Sequence, residues 1–222
     1  MAETIVNSGK GGTYGIVHVV MAETVAGGFP AKSKFFRGQD DQWPAGSFGF
    51  SAIVMDSVSF NDSAPSQNDL YVEDADTIYA TLRSDEGSKG FTLDTYDLSA
   101  QAYMALVGAT EDDTDSELGE GEAWVVEPAK IPELVKAVQI MTRKFGSFPS
   151  KTFQWANMKV TVTRAGTIGK SGFPNFHLEF KQQANFDDYG IAQAGHRWKL
   201  TTDAEYAAAG GGALDGGSSG GA

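Results

Sequence analysis

The side chains most able to do chemistry near neutral pH are three histidines, His18, His177 and His196, spread across the chain. A histidine zinc site draws on close pairs such as HxxxH or HExxH, and neither occurs. His177 alternates with apolar neighbours and reads as a surface residue of a strand. Cysteine is absent, which removes disulfides, thiolate zinc, iron–sulfur clusters and a cysteine nucleophile. Ser8-Gly-Lys-Gly-Gly-Thr13 has the glycine content of a phosphate loop. However, that loop requires GxxxxGK[ST] after a strand, whereas Lys10 is followed by Gly11 and no apolar strand precedes it. Residues 1–14 read better as a flexible arm.

Carboxylates offer two further possibilities. Asp113, Asp115 and Glu117 match the spacing of the first three ligands of a calcium loop. Leu118 then stands where the turn glycine belongs and Trp124 where the bidentate glutamate belongs, which excludes an EF-hand. A looser cation site in this acidic run stays open. Asp74/Asp76 and Asp94/Asp97 are pairs that an acid–base mechanism could use if they converged in a cleft. Charged strand ends account for them equally, and no serine–histidine arrangement can be inferred. The residues assign no catalytic, cofactor-binding or metal-binding role, and the expectation is a protein that is not an enzyme.

The chain has 222 residues, 29 acidic and 17 basic, for a formal charge of -12, with 41% hydrophobic residues. Such a chain can bury a core and is too apolar for disorder. No apolar run approaches the roughly 18 residues of a membrane span. Met1-Ala-Glu-Thr lacks the basic and apolar regions of a signal peptide. The expectation is a soluble, acidic, globular protein without membrane partners. The sequence pI near 4.6 argues against charge-driven binding to a nucleic-acid backbone. The charge is also divided by region: residues 1–129 carry 22 acidic and 6 basic side chains, residues 130–200 carry 4 and 11, and residues 201–222 carry 3 and none. Opposite potentials on one molecule favour head-to-tail association, although two differently solvated faces would explain them as well.

The elements that must position these residues are mostly strands. Phe176, Leu178 and Phe180 alternate with polar residues, the period of a half-buried strand. In residues 150–164 the apolar phase switches from odd positions (Phe153, Trp155) to even ones (Met158, Val160, Val162), which predicts a β-bulge or a change of environment along the strand. The glycine-rich stretch 165–174 joins the two, giving a long hairpin over 150–184. Other strands are expected at Gly15–Met21, Phe48–Asp56, Asp76–Leu82, Phe91–Tyr96 and Ala137–Phe145. One helix is expected, capped by Asp97 or Ser99, carrying Leu98, Ala102, Tyr103 and Leu106 as its stripe and ending at Gly108. Residues 107–130 form an acidic loop, with eight carboxylates and no cation over Glu111–Glu127. Residues 201–222 form a Gly/Ala/Ser-rich tail expected to be disordered. The fold class is therefore mainly β: one domain over 15–200, a sandwich or barrel with one short flanking α-helix and the long hairpin.

Three stretches in order resemble the major tail proteins of long-tailed bacteriophages. They are Leu-Tyr-Val-Glu-Asp-Ala-Asp-Thr-Ile-Tyr (70–79), Phe-Thr-Leu-Asp-Thr-Tyr-Asp-Leu (91–98) and Tyr-Met-Ala-Leu-Val-Gly (103–108). An acidic loop and then a long hairpin follow, as in that family, and the resemblance covers about residues 45–185. It implies a tail-tube β-sandwich with a flanking helix, a virion protein made in the host cytoplasm. Such subunits form hexameric rings whose hairpins pair edge to edge around a lumen. The implied partners are further copies of itself, a tape-measure protein, tail-end proteins, and DNA that passes through without specific binding. The candidate interface segments are the N-terminal arm, the 107–130 loop and the 165–174 hairpin tip. The alternative is a carbohydrate-binding β-sandwich, supported by aromatic content and carboxylates. A β-fold enzyme using paired carboxylates is the third reading.

Overall fold

The computed structural model describes residues 14–38, 40–72, 75–83, 87–145, 148–168 and 172–211. The expected N-terminal arm, with its glycine-rich segment, lies almost wholly outside them, as do residues 212–222. The protein is mainly β, with 42% strand and 11% helix. In chain order the strands are β1 (Tyr14–Ala22), β2 (Phe48–Gly49), β3 (Ser59–Phe60), β4 (Gln67–Val72), β5 (Ala75–Arg83) and β6 (Gly90–Thr95). Helix α1 (Ala100–Val107) follows, then β7 (Thr110–Asp112), β8 (Trp124–Val126), β9 (Leu134–Arg143), β10 (Lys151–Ala165) and β11 (Asn175–Gln182). The chain continues with β12 (Asn185–Phe186), β13 (Ala192–Gln193), β14 (His196–Leu200) and helix α2 (Asp203–Ala208). No closed barrel forms, and a sandwich-like arrangement is compatible with the strand order.

The stretch expected as one domain is described as two compact units. The first comprises Met1–Ser51, Val135–Met158 and Ala184–Ala222, and the second Ala52–Leu134 and Lys159–Gln183. Strand β10 runs from the first into the second. In the first unit the antiparallel order is β2-β1-β9-β10, with β14 also on β10. Strands β1 and β9 pair Val19 with Ile140, Val20 with Gln139 and Met21 with Val138, and all six are buried. Both faces of these strands are covered, so they read as continuous apolar runs, not as alternating ones. Val20, Ala22 and Ala137 pack with Phe35, and Phe36 and Trp43 lie against that cluster.

In the second unit the order is β10-β11-β6-β3. Leu178 faces Leu93 and Phe180 faces Phe91 across β11 and β6, the last pair stacked with ring centroids 4.4 Å apart. Helix α1 closes over this layer through Ala102, Leu106 and Val107, all buried, while Tyr103 meets Phe176 edge-on at 5.1 Å. Its ends follow local chemistry: Ser99 Oγ accepts the Ala102 N–H, and Gly108 takes φ 73°. A β-carbon on Gly108 would also lie 2.8 Å from Pro132.

Four expectations are revised. First, the phase switch in β10 is a change of environment on one face only: Thr152, Gln154, Ala156, Met158, Val160 and Val162 are all buried, while the opposite face is covered at Trp155 and exposed at Thr161 and Thr163. Phe153 and Trp155 belong to the opposite face, where His196 of β14 stacks beside them. Second, the strand expected over Phe48–Asp56 stops after Gly49, because Ala52 and Asp56 turn to φ 48° and 58°. Third, the tail does not begin at 201, since Thr202 and Glu205 form a reciprocal capping box that starts α2. Fourth, α1 is therefore not the only helix. The acidic 107–130 segment is also more than a loop, for it contains the β7–β8 hairpin.

The stacked pair gives a direct check. Phe180→Ala should lower stability by about 3–5 kcal/mol, seen as an earlier urea midpoint with an unchanged slope. An unmoved midpoint would contradict the packing described.

Candidate functional site

The residues with chemical potential fall into separate places. His18 is buried in the first unit, beside the rings of Phe36 and Trp43. His196 stacks on Trp155 at 4.9 Å. His177, read from sequence as a surface residue, is half-buried, with Nδ1 2.5 Å from the Asp94 carboxylate on the neighbouring strand. Asp97 instead accepts the Ser99 N–H ahead of α1, so Asp94 and Asp97 serve different neighbours. Asp74 lies outside the described residues, and so does the side chain of Asp76. Among the described residues, no three His, Asp or Glu side chains converge to hold a metal.

The first unit contains a polar chain that the sequence reading missed. Arg197 Nε donates to Gln154 Oε1 at 2.8 Å, Gln154 Nε2 donates to Gln139 Oε1 at 2.6 Å, and Gln139 Nε2 lies 3.1 Å from His18 Nε2. A guanidinium can only donate, so the direction of the whole chain is fixed from Arg197 inward. The last donor is the Gln139 amide, which leaves His18 Nε2 as an acceptor and the imidazole neutral. Burial pushes its pKa down to about 4 from an ordinary 6.5.

Beside this chain is a groove of about 310 Å³ whose lining includes Lys32, Arg197, Lys199 and Glu205. Glu205 Oε1 receives both Lys32 (2.8 Å) and Lys199 (2.5 Å), and Oε2 receives the Thr202 N–H at 3.1 Å. Burial alone would raise this carboxyl; the hydrogen bonds from Lys199, Lys32 and Thr202 outweigh it and hold the pKa at about 2. Three cations facing one carboxylate leave the groove with a surplus of positive charge. The guanidinium of Arg197 lies 4.0 Å from the Phe29 ring, which fixes it from another side. The signals for this site were the Thr-x-x-Glu capping pattern at 202–205 and the alternation of His196–Leu200.

The second unit carries the other candidate surface. Among the described residues, strands β7 and β8 pair only with each other, and so do β4 and β5. On β8, Trp124 is 59% exposed, with Val125 and Val126 exposed beside it. Between the strands the carboxylates organise their own turns. Asp112 accepts the Thr114 N–H and hydroxyl, Asp115 accepts the Glu117 N–H and the Trp124 indole, and Glu122 accepts the Gly119 N–H. These bonds hold the Asp112 and Asp115 carboxyls below the usual range. Arg164 on β10 grips Glu127 through both terminal amino groups, at 3.0 and 2.6 Å, which anchors the base of the arm. At the expected hairpin tip, Ile168 and Phe173 are 92% and 78% exposed.

No family model matches this chain, and no curated protein matches it either.

The pH behaviour of His18 follows from its lowered pKa. The unfolded chain takes up this proton near pH 6.5 and the folded protein only near pH 4. Its neutral form therefore stabilises the fold fully above pH 6.5, and that contribution is lost as pH falls toward 4. Between pH 6.5 and 5, wild type should lose up to about 1.4 kcal/mol per pH unit more than His18→Gln, measured by urea denaturation. Equal slopes would refute the lowered pKa of the buried His18.

Proposed function

We propose that this chain is a structural subunit of a bacteriophage tail tube, assembling with copies of itself into stacked hexameric rings through which DNA passes. The observation that carries the reading is the state of the β4–β5 and β7–β8 hairpins. A two-stranded hairpin is marginally stable alone in water, and each of its outer edges offers unpaired N–H and C=O groups. Two such hairpins in one unit point to a partner that completes them, and closing strands around a ring leaves no edge exposed. The exposed apolar side chains of β8, on one of the open-edged hairpins, and those of the β10–β11 tip support the same conclusion, because exposed apolar groups favour burial against a partner. The net charge of -12 suits a wall along which phosphates slide without adhering. The order of sequence features that resembles phage tail proteins supplies the particular machine.

The carbohydrate-binding alternative requires aromatic faces presented to a sugar. Trp198 is the aromatic best placed at the groove, and the Lys151 ammonium lies over its ring at 5.3 Å. That arrangement favours charge recognition over sugar stacking.

Native mass spectrometry and negative-stain microscopy of the purified protein should reveal hexamers, rings or tubes. A strict monomer at high concentration, across salt conditions and with a tape-measure segment added, would overturn the proposal. Trp124→Ser with Val126→Ser should leave stability within about 0.5 kcal/mol of wild type, because both side chains are exposed, yet reduce self-association. Undiminished assembly of that variant would remove β8 from the interface.

A further inference from the structure

We propose that the basic groove of the first unit receives the acidic arm of a second copy of this chain, residues 108–127 of one molecule seating between Lys32 and Arg197 of the next. The proposal rests on the self-assembly reading and names the contact that would make it directional. Its core is charge complementarity between two built features. On the groove side, Glu205 fixes Lys32 and Lys199 in place, and its own charge is consumed by them. Arg197 is held by Gln154 and Phe29. Its two terminal amino groups make no hydrogen bond among the described residues. The cations are thus ordered before any partner arrives, which lowers the entropy lost on binding. The guanidinium also presents the fork that suits a carboxylate.

On the arm side, the turn uses up Asp112, Asp115 and Glu122, whereas Asp113, Glu117 and Glu120 make no side-chain contact among the described residues. No cation lies in the arm between Glu111 and Glu127 to neutralise them. The two surfaces also match in kind beyond charge. The arm carries exposed Trp124 and Val126, and the groove has the ring of Phe36 and the half-exposed Trp198 in its wall. Strand β14, which supplies Arg197 and Lys199, pairs with β10 alone among the described strands, so its outer edge can accept an extended segment. A small free carboxylate or phosphate could satisfy the cations but would leave that edge and those rings unused.

Charge exchange tests this directly. A groove variant, Arg197→Glu with Lys199→Glu, and an arm variant, Asp113→Lys with Glu117→Lys and Glu120→Lys, should each self-associate at least about tenfold more weakly than wild type at low salt. Mixed in equal amounts they should recover association with the two variants alternating, because the basic arm of one fits the acidic groove of the other and the unaltered acidic arm fits the unaltered basic groove. Sedimentation velocity reads both results, and circular dichroism checks folding. Because the chain has no cysteine, a second measurement is clean: a Glu117→Cys protein mixed with a Lys32→Cys protein should give a disulfide-linked heterodimer under oxidation, and this decides the matter if the groove variant does not fold. Full self-association of both charge variants, or no recovered association on mixing and no crosslink, would overturn the proposal. If those variants still form rings, the groove contact falls and the tail-tube reading stands. If arm and groove pair but no ring or tube forms, the reverse holds. Unaltered binding of free phosphate by wild type alone, without any effect of the arm substitutions, would mark the groove as an anion site and count against a second copy.

Discussion

The alternation of β10 is the constraint on which both compact units depend. Successive side chains of a strand leave on opposite faces, so a strand buried on one face over its length must commit every second residue to the interior. In β10 those residues begin with Thr152 and Gln154 and end with Val160 and Val162. The second half satisfies this with the apolar side chains of Met158, Val160 and Val162. The first half places two polar residues inside, and the first unit has to be organised around them. Hence Thr152 bonds to Thr201, and Gln154 joins Gln139 and Arg197. A register slip by one residue would exchange Phe153 and Trp155 with Thr152 and Gln154 between the two faces and strand the amides, so the polar pair also fixes the register.

A buried amide without a partner costs about 1–3 kcal/mol, more than a typical paired hydrogen bond contributes net. The Gln139–Gln154 bond is thus better understood as a requirement for a single arrangement than as a large source of stability. Its orientation is imposed from the surface, since Arg197 can only donate. In this way a side chain on β14 sets Nε2 of His18 on β1, two strands removed from β10, as the acceptor, while burial keeps the ring neutral. The same β14 carries Lys199 to Glu205, so the buried chain and the basic groove share one strand and are ordered together.

What the sequence disclosed was governed by how local the cause is. Helix α1 was legible because its cap, stripe and terminating glycine lie close together, from Ser99 to Gly108, although the cap was open between Asp97 and Ser99 and Leu98 falls just before the helix. Alternation exposed β11, and the long hairpin followed from it. The change of environment along β10 was legible, but the burial of Thr152 and Gln154 was not, because the partners that make them acceptable inside lie far along the chain, at Thr201 and Arg197. The end of β2 could not be foreseen from Ala52 and Asp56, neither of which is a residue that favours positive φ strongly enough to announce it. The candidate surfaces divide similarly. The acidity of the arm was plain, whereas the groove required β14, α2 and the turn carrying Lys32 to come together, and only its capping box left a trace.

The uneven charge that composition reveals acquires a geometric consequence from these surfaces. Two copies approaching through like regions would bring acidic arm against acidic arm, and nothing in that segment can relieve the repulsion. An isologous dimer built on the arm is therefore disfavoured, because its symmetry would place the same patch on both sides. In the proposed assembly the arm of one copy meets the basic region of another, which is a heterologous contact. Such a contact leaves one arm and one groove unused on every pair, so it repeats until rotation closes a ring or continues as a filament. Strand edges that need partners supply cohesion without direction, because any edge can pair with any other. Opposite charges on separate elements supply the direction, and a tube requires both.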